Sequence, residues 1–207
     1  MKRILTCAVV LLSVLTVRAE LFGFDTVTTN SPNRETIAGQ LFMDTGLSSV
    51  IFTNTGPAPS AVSEIYFGTD LTDLNLNINS VMSSSPEVSF TITGASPANP
   101  PGWEEFANWW SVTVAAADSA PPPSQNGINP FEYLELGVSY SSGSSFAELL
   151  QSGEIQVALH VISIGDGGEY SDTFVNHDYV VPEPASLVLI GTAGAFVAFM
   201  RRRYIAD

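Results

Sequence analysis

The side chains that could do chemistry in this chain are few, and their types narrow the choices. Nucleophilic catalysis needs an activated Ser, Cys or Lys beside a base, yet the only cysteine is Cys7, the only lysine is Lys2, and the histidines are His160 and His177. His160 lies in Val157-Ala158-Leu159-His160-Val161-Ile162, where strand alternation puts it on the face opposite Val157, Leu159 and Val161. No serine is framed as a nucleophile elbow, so a structural or exposed histidine is expected there. Glycoside hydrolysis asks only for two carboxylates about 5–10 Å apart, which keeps Glu104, Glu105, Glu132 and Glu135 as formal candidates.

Two binding chemistries come next. The acidic stretch Asp166-Gly167-Gly168-Glu169-Tyr170-Ser171-Asp172 connects two predicted strands, and Asp166, Glu169 and Asp172 could offer Ca²⁺ the hard oxygens it prefers. It lacks EF-hand spacing, and its glycines suffice for a hairpin turn. The expectation is therefore no cofactor, with Ca²⁺ at these three carboxylates as the alternative. Trp103, Trp109 and Trp110 could stack on sugar faces, while Phe106 beside them favours core packing.

These residues need a scaffold, and turn chemistry at short intervals says what kind. Strands are predicted at 22–29, 40–43, 49–53, 61–67, 74–78, 88–93, 111–114, 133–140, 155–164 and 172–176. Leu74, Leu76 and Ile78 alternate with Asn75, Asn77 and Asn79, as in a strand with one wet face. The strand at 155–164 is long and expected to be central. One short helix is predicted at 145–151, with Ser144 or Ser145 as cap, Phe146, Leu149 and Leu150 on one face and Gly153 past its end. The Pro-rich segments 94–102 and 118–130 are expected to be exposed loops. Strands in this number and spacing predict an all-β fold, an antiparallel β-sandwich of jelly-roll type.

The ends have a different composition. Met1-Lys2-Arg3, an apolar run at 4–17 and Val17-Arg18-Ala19 have the three parts of a secretory signal peptide, with cleavage by signal peptidase expected between Ala19 and Glu20. Cys7 lies too early in the apolar run for a lipoprotein cysteine. Between 20 and 180 the single cation is Arg34, against nineteen carboxylates, a net charge of about −18. Such a surface cannot neutralise phosphates, which excludes nucleic acid and anionic lipid as partners. At the C-terminus, Pro182-Glu183-Pro184 precedes an uncharged run at 187–200 and then Arg201-Arg202-Arg203. These fourteen residues make about 21 Å of helix against a hydrocarbon core of about 30 Å. Counting from Ala185 and letting the arginines snorkel, a transmembrane helix at about 185–200 with its basic end in the cytoplasm is expected. The chain thus divides into a signal peptide at 1–19, an acidic ectodomain at 20–180 and a C-terminal signal at 181–207.

Pro-Glu-Pro, a short apolar helix and a closing arginine cluster, in that order, resemble the C-terminal sorting signal of PEP-CTERM proteins. The resemblance implies that exosortase, a membrane-embedded protease, acts at Pro182, Glu183 and Pro184, and that Arg201, Arg202 and Arg203 form the cytoplasmic basic anchor. It also implies an exported protein of the cell surface, outer membrane or extracellular matrix of a Gram-negative-type bacterium, associated with exopolysaccharide and biofilm. More loosely, the run from the Pro-rich loop through Asn126-Gly127-Ile128-Asn129-Pro130 to His160 is similar to globular domains found upstream of such signals, and that similarity implies no chemistry. The expected protein is non-enzymatic; the alternative is a carbohydrate-binding or Ca²⁺-dependent adhesion module.

Overall fold

The computed structural model describes residues 20–94, 99–102, 104 and 113–177. The predicted signal peptide, the C-terminal signal, Trp103, Glu105, Phe106, Trp109 and Trp110 lie outside the described residues, as does the first half of the strand expected at 111–114. In chain order the strands are β1 (Glu20–Thr26), β2 (Leu41–Thr45), β3 (Ser49–Asn54), β4 (Ala61–Gly68), β5 (Asn77–Ser84), β6 (Phe90–Gly94), β7 (Thr113–Ser119), β8 (Glu132–Ser139), β9 (Gln156–Ile164) and β10 (Tyr170–His177). Among the described residues there are also three short helices, α1 (Arg34–Ala38), α2 (Pro123–Asn126) and α3 (Phe146–Gln151), and a 3₁₀ turn at Thr72–Leu74.

All strand pairings are antiparallel, in the order β5-β8-β3-β2-β1-β10-β9-β4-β7-β6. β1 is the joint between the two halves of this series. Its first residues, Glu20 to Phe22, pair with β2, and its last, Gly23 to Thr26, pair with β10. The outermost strands β5 and β6 approach one another, so the sheet curls into a barrel-like shape. The all-β antiparallel expectation holds, and the hydrogen-bonded series runs unbroken through β1, which pairs with both halves.

Period-2 alternation explains which face is inside. Ile65 and Phe67 of β4, Val157, Leu159 and Val161 of β9, and Ala115 and Ala117 of β7 all enter one core cluster, whereas Tyr66, Ala158 and Ala116 form a small cluster on the opposite face. Burial of each large apolar side chain contributes about 1.5–3 kcal/mol. Helix α3 stands where the sequence placed it. Ser145 accepts from Glu148 N and the Glu148 carboxylate accepts from Ser145 N, a capping box, and Phe146, Leu149 and Leu150 are buried.

The expectation of a single helix is corrected. Ile37, fully buried, anchors the one turn of α1, and α2 forms inside the segment expected to be a loop, with Pro123 in its first turn and Gly127 N donating to Pro123 O. The strand expected at 74–78 is displaced. Leu74, Leu76 and Ile78 are buried as their alternation required, but Asn75 takes a left-handed φ of 48° after the 3₁₀ turn, so the strand begins only at Asn77. The central position of the 155–164 strand is found: β9 runs between β10 and β4.

Candidate functional site

A row of polar residues crosses the outer face of the sheet. In β4 the alternation that buries Ile65 and Phe67 turns Glu64 and Tyr66 outward. Cross-strand register then sets Asp118 of β7 and His160 of β9 on either side of Glu64, and Thr173 of β10 beside His160. Directly opposite residues of an antiparallel pair share a face, so Asp118, Glu64, His160 and Thr173 stand side by side. The segment Asn99–Gly102 folds over this row, held by a hydrogen bond from Thr173 Oγ1 to Pro101 O of 2.7 Å. Between loop and row lies a cavity of about 540 Å³, lined among others by Glu64, Tyr66, Asn99, Glu104 and His160.

Within the row, Glu64 Oε2 is the common acceptor. Tyr66 donates its hydroxyl at 2.6 Å, and His160 Nδ1 lies at 2.7 Å. The hydrogen bond from His160 holds the Glu64 carboxyl below its usual range, against the opposing effect of burial. An ionised carboxylate accepts only, so His160 Nδ1 carries the proton of this hydrogen bond. Burial, then the Glu64 carboxylate, push the Tyr66 hydroxyl far above the usual phenol range. Ser63 is spoken for: its hydroxyl donates to His160 O at 3.1 Å.

Asp118 is the electrostatically uncomfortable member. Its Oδ1 is buried with no hydrogen-bond partner among the described residues, and burial, followed by the charge of Glu64, pushes its carboxyl up to about 6 against the lowering effect of Thr93. Between its ordinary value of 3.8 and about 6 the folded chain holds a proton at Asp118 that the unfolded chain has released, so stability falls as pH rises through that window and stays lower above it. A two-unit shift is about 3 kcal/mol before solvent screening, and about 1 kcal/mol is expected for a group this accessible. Asp118→Asn should therefore raise unfolding stability at pH 7.5 by about 1 kcal/mol relative to its effect at pH 4. Urea titrations of both proteins at the two pH values check this, and an identical wild-type-to-variant difference at both would contradict it.

The residues singled out from sequence are scattered over the fold. Asp166 and Glu169 are exposed on the hairpin between β9 and β10, where Gly165 and Gly168 take positive φ values of 90° and 64° to make the turn. Asp172 is buried instead of joining them; its carboxylate accepts from Thr28 Oγ1, Asn30 N and Ser31 N at 2.8–2.9 Å. Among the described residues no three His, Asp or Glu side chains gather as a metal site. Glu104 reaches the cavity, but Glu132 and Glu135 belong to β8 in the other half of the sheet, with Glu132 capping Asn129 N. His160 faces outward as its alternation required, and His177 Nδ1 lies 3.1 Å from Asp25 Oδ1. Glu20 begins β1 and accepts from Gln151 Nε2. Glu64, Tyr66 and Asp118 were not singled out; the one signal was a lone carboxylate inside the apolar strand Ala61–Gly68.

Fold and site together define an acidic, barrel-like β-domain with one polar row under a proline loop. Residues 180–203, which include Pro182-Glu183-Pro184 and Arg201-Arg202-Arg203, match the family model described as the PEP-CTERM protein-sorting motif. The chain thus carries a PEP-CTERM sorting motif over these residues, and the motif implies export to the cell envelope with processing by exosortase. No curated protein and no solved structure matches the chain.

Proposed function

We propose that this is a non-enzymatic protein of the bacterial cell surface or extracellular matrix, associated with exopolysaccharide and biofilm. Signal peptidase frees Glu20, the helix at about 185–200 holds the chain in the membrane with Arg201, Arg202 and Arg203 in the cytoplasm, and exosortase then acts at Pro182 to Pro184. The matched sorting motif carries this reading. The ectodomain's charge of about −18 supports it, since a self-repelling surface stays soluble outside the cell. So does the spending of Ser63 and of His160 Nδ1 on structural hydrogen bonds. It needs no cofactor and no nucleic acid.

Mass spectrometry of the protein recovered from the cell envelope tests this reading. The expected mature form begins at Glu20 and ends near Pro182 to Pro184; a protein found with both termini intact would overturn it.

A second reading, a carbohydrate-binding module, is favoured by the cavity over the polar row. It combines the small apolar surfaces of Pro100, Pro101 and Tyr66 with convergent polar groups, the composition expected of a small-ligand site.

A further inference from the structure

Strand β1 begins at the residue that signal-peptide removal would expose. Glu20 pairs with Thr45 of β2, and the next two residues continue the ladder, Leu21 opposite Asp44 and Phe22 opposite Met43. Side chains fasten the same point. Thr45 Oγ1 donates to Glu20 O at 3.4 Å, and Gln151, the last residue of α3, donates its Nε2 to the Glu20 carboxylate. Phe22 is buried in the main core cluster. The Ala19–Glu20 peptide bond therefore includes the backbone nitrogen of a residue that the fold already holds.

A protease must hold residues on both sides of the bond it cuts, so a bond at the start of a docked strand is cut only from an opened state. Opening Glu20 to Phe22 strips the β1–β2 pairing and takes Phe22 out of the core, while Gly23 to Thr26 can stay on β10. Nothing in the topology delays that docking. β2 follows β1 after fourteen residues, so the pairing that covers the bond is short-range and does not wait for β10. Membrane tethers do not delay it either. β1 and β10 are antiparallel neighbours with Gly23 opposite His177, which sets Glu20 and His177 at the same end of the barrel, where both can face one membrane surface.

We propose that docking of β1 on β2 closes the signal-peptidase site, so that the signal peptide must be removed before the seam between the two halves of the sheet is complete. A chain that folds first keeps its N-terminal segment. This rests on the cleavage between Ala19 and Glu20 proposed above and adds its timing. The residues that set the competition are those of the seam: Phe22 and Met43 hold the two strands together by burial, and Gln151 ties the first residue of β1 to α3.

The full-length precursor, synthesised into detergent micelles, tests this. Signal peptidase present during synthesis should release a product that begins at Glu20, identified by mass spectrometry. The same peptidase added after folding, once hydrogen exchange reports the Glu20–Phe22 segment protected, should act about tenfold or more slowly, because it cuts only the opened fraction. A second precursor carries Gly-Ser-Gly-Ser inserted between Ala19 and Glu20, which moves the bond off the strand without changing any residue of the barrel. Its late cleavage should be as fast as its early cleavage. Equal early and late rates for the wild type, an unprotected Glu20–Phe22 segment in the folded precursor, or a spacer variant as resistant as the wild type would overturn the proposal while leaving the cleavage reading in place. If the peptidase present from the start does not cut between Ala19 and Glu20, the cleavage reading falls and this proposal with it.

Discussion

Replacing Asp172 with alanine is expected to cost the ectodomain about 3–5 kcal/mol of unfolding free energy, the cost of leaving three buried donors unsatisfied. The Asp172 side chain is 1% exposed and accepts from three donors, Thr28 Oγ1, Asn30 N and Ser31 N. Thr28 Oγ1 in turn accepts from Thr173 N at 2.8 Å. Alanine strands the two backbone N–H groups and the hydroxyl in a dry site, each at about 1–3 kcal/mol, partly recovered if water enters. Asp172→Asn should fall between alanine and wild type, because one carboxylate oxygen becomes an NH₂ set against a donor. Urea unfolding with unchanged m-value is the measurement. A loss below about 1 kcal/mol would mean that the three donors find water without effort. The same experiment bears on Ca²⁺. Both Asp172 oxygens are already occupied, so millimolar Ca²⁺ is expected to leave the wild-type midpoint where it is, and a Ca²⁺-dependent rise would place those oxygens on the ion instead.

Asp172 also shows why parts of this protein were legible in its sequence and parts were not. Asp166, Glu169 and Asp172 are neighbours along the chain, and proximity in sequence suggested one loop site. A register shift in the β9–β10 pairing between Tyr170 and Asp172 accompanies the inward turn of the third carboxylate, and only the paired strand fixes that. Helix α3 was legible because its signals are local: the cap, the apolar face and the terminal glycine lie within nine residues. The sorting motif was legible for the same reason, as three elements in a fixed order. The Glu64–His160 pair was not, since its members are 96 positions apart and meet only through the register of β4 on β9, itself shifted between Val62 and Glu64. The barrel-like closure depends on β1 changing partners halfway along, and no periodicity in seven residues announces a change of neighbour.

The same strand that carries the site also carries the largest packing prediction. Phe67 is fully buried, with its ring 6.1 Å from Phe52 of β3 at an interplanar angle of 81° and 6.2 Å from Phe146 of α3. Tyr140 extends the series, 5.6 Å from Phe146. Phe67 is therefore the point where β4, β3 from the other half of the sheet and the buried face of α3 meet. Phe67→Ala should cost about 3–5 kcal/mol, the transfer loss plus the cavity it leaves, a large share of the roughly 5–15 kcal/mol that keeps a domain folded. Phe67→Leu fills most of the space and should cost about 1–2 kcal/mol. Tyr66→Phe, one residue away on the opposite face, keeps its ring and loses only the hydroxyl bond to Glu64, so about 1 kcal/mol or less is expected. The order Phe67→Ala, Phe67→Leu, Tyr66→Phe in denaturant midpoint follows directly from strand alternation, one residue facing the core and the next the polar row. Were Tyr66→Phe to cost as much as Phe67→Ala, the assignment of the two faces of β4 would be reversed, and the polar row over β4 would have to be rebuilt on the other side of the sheet.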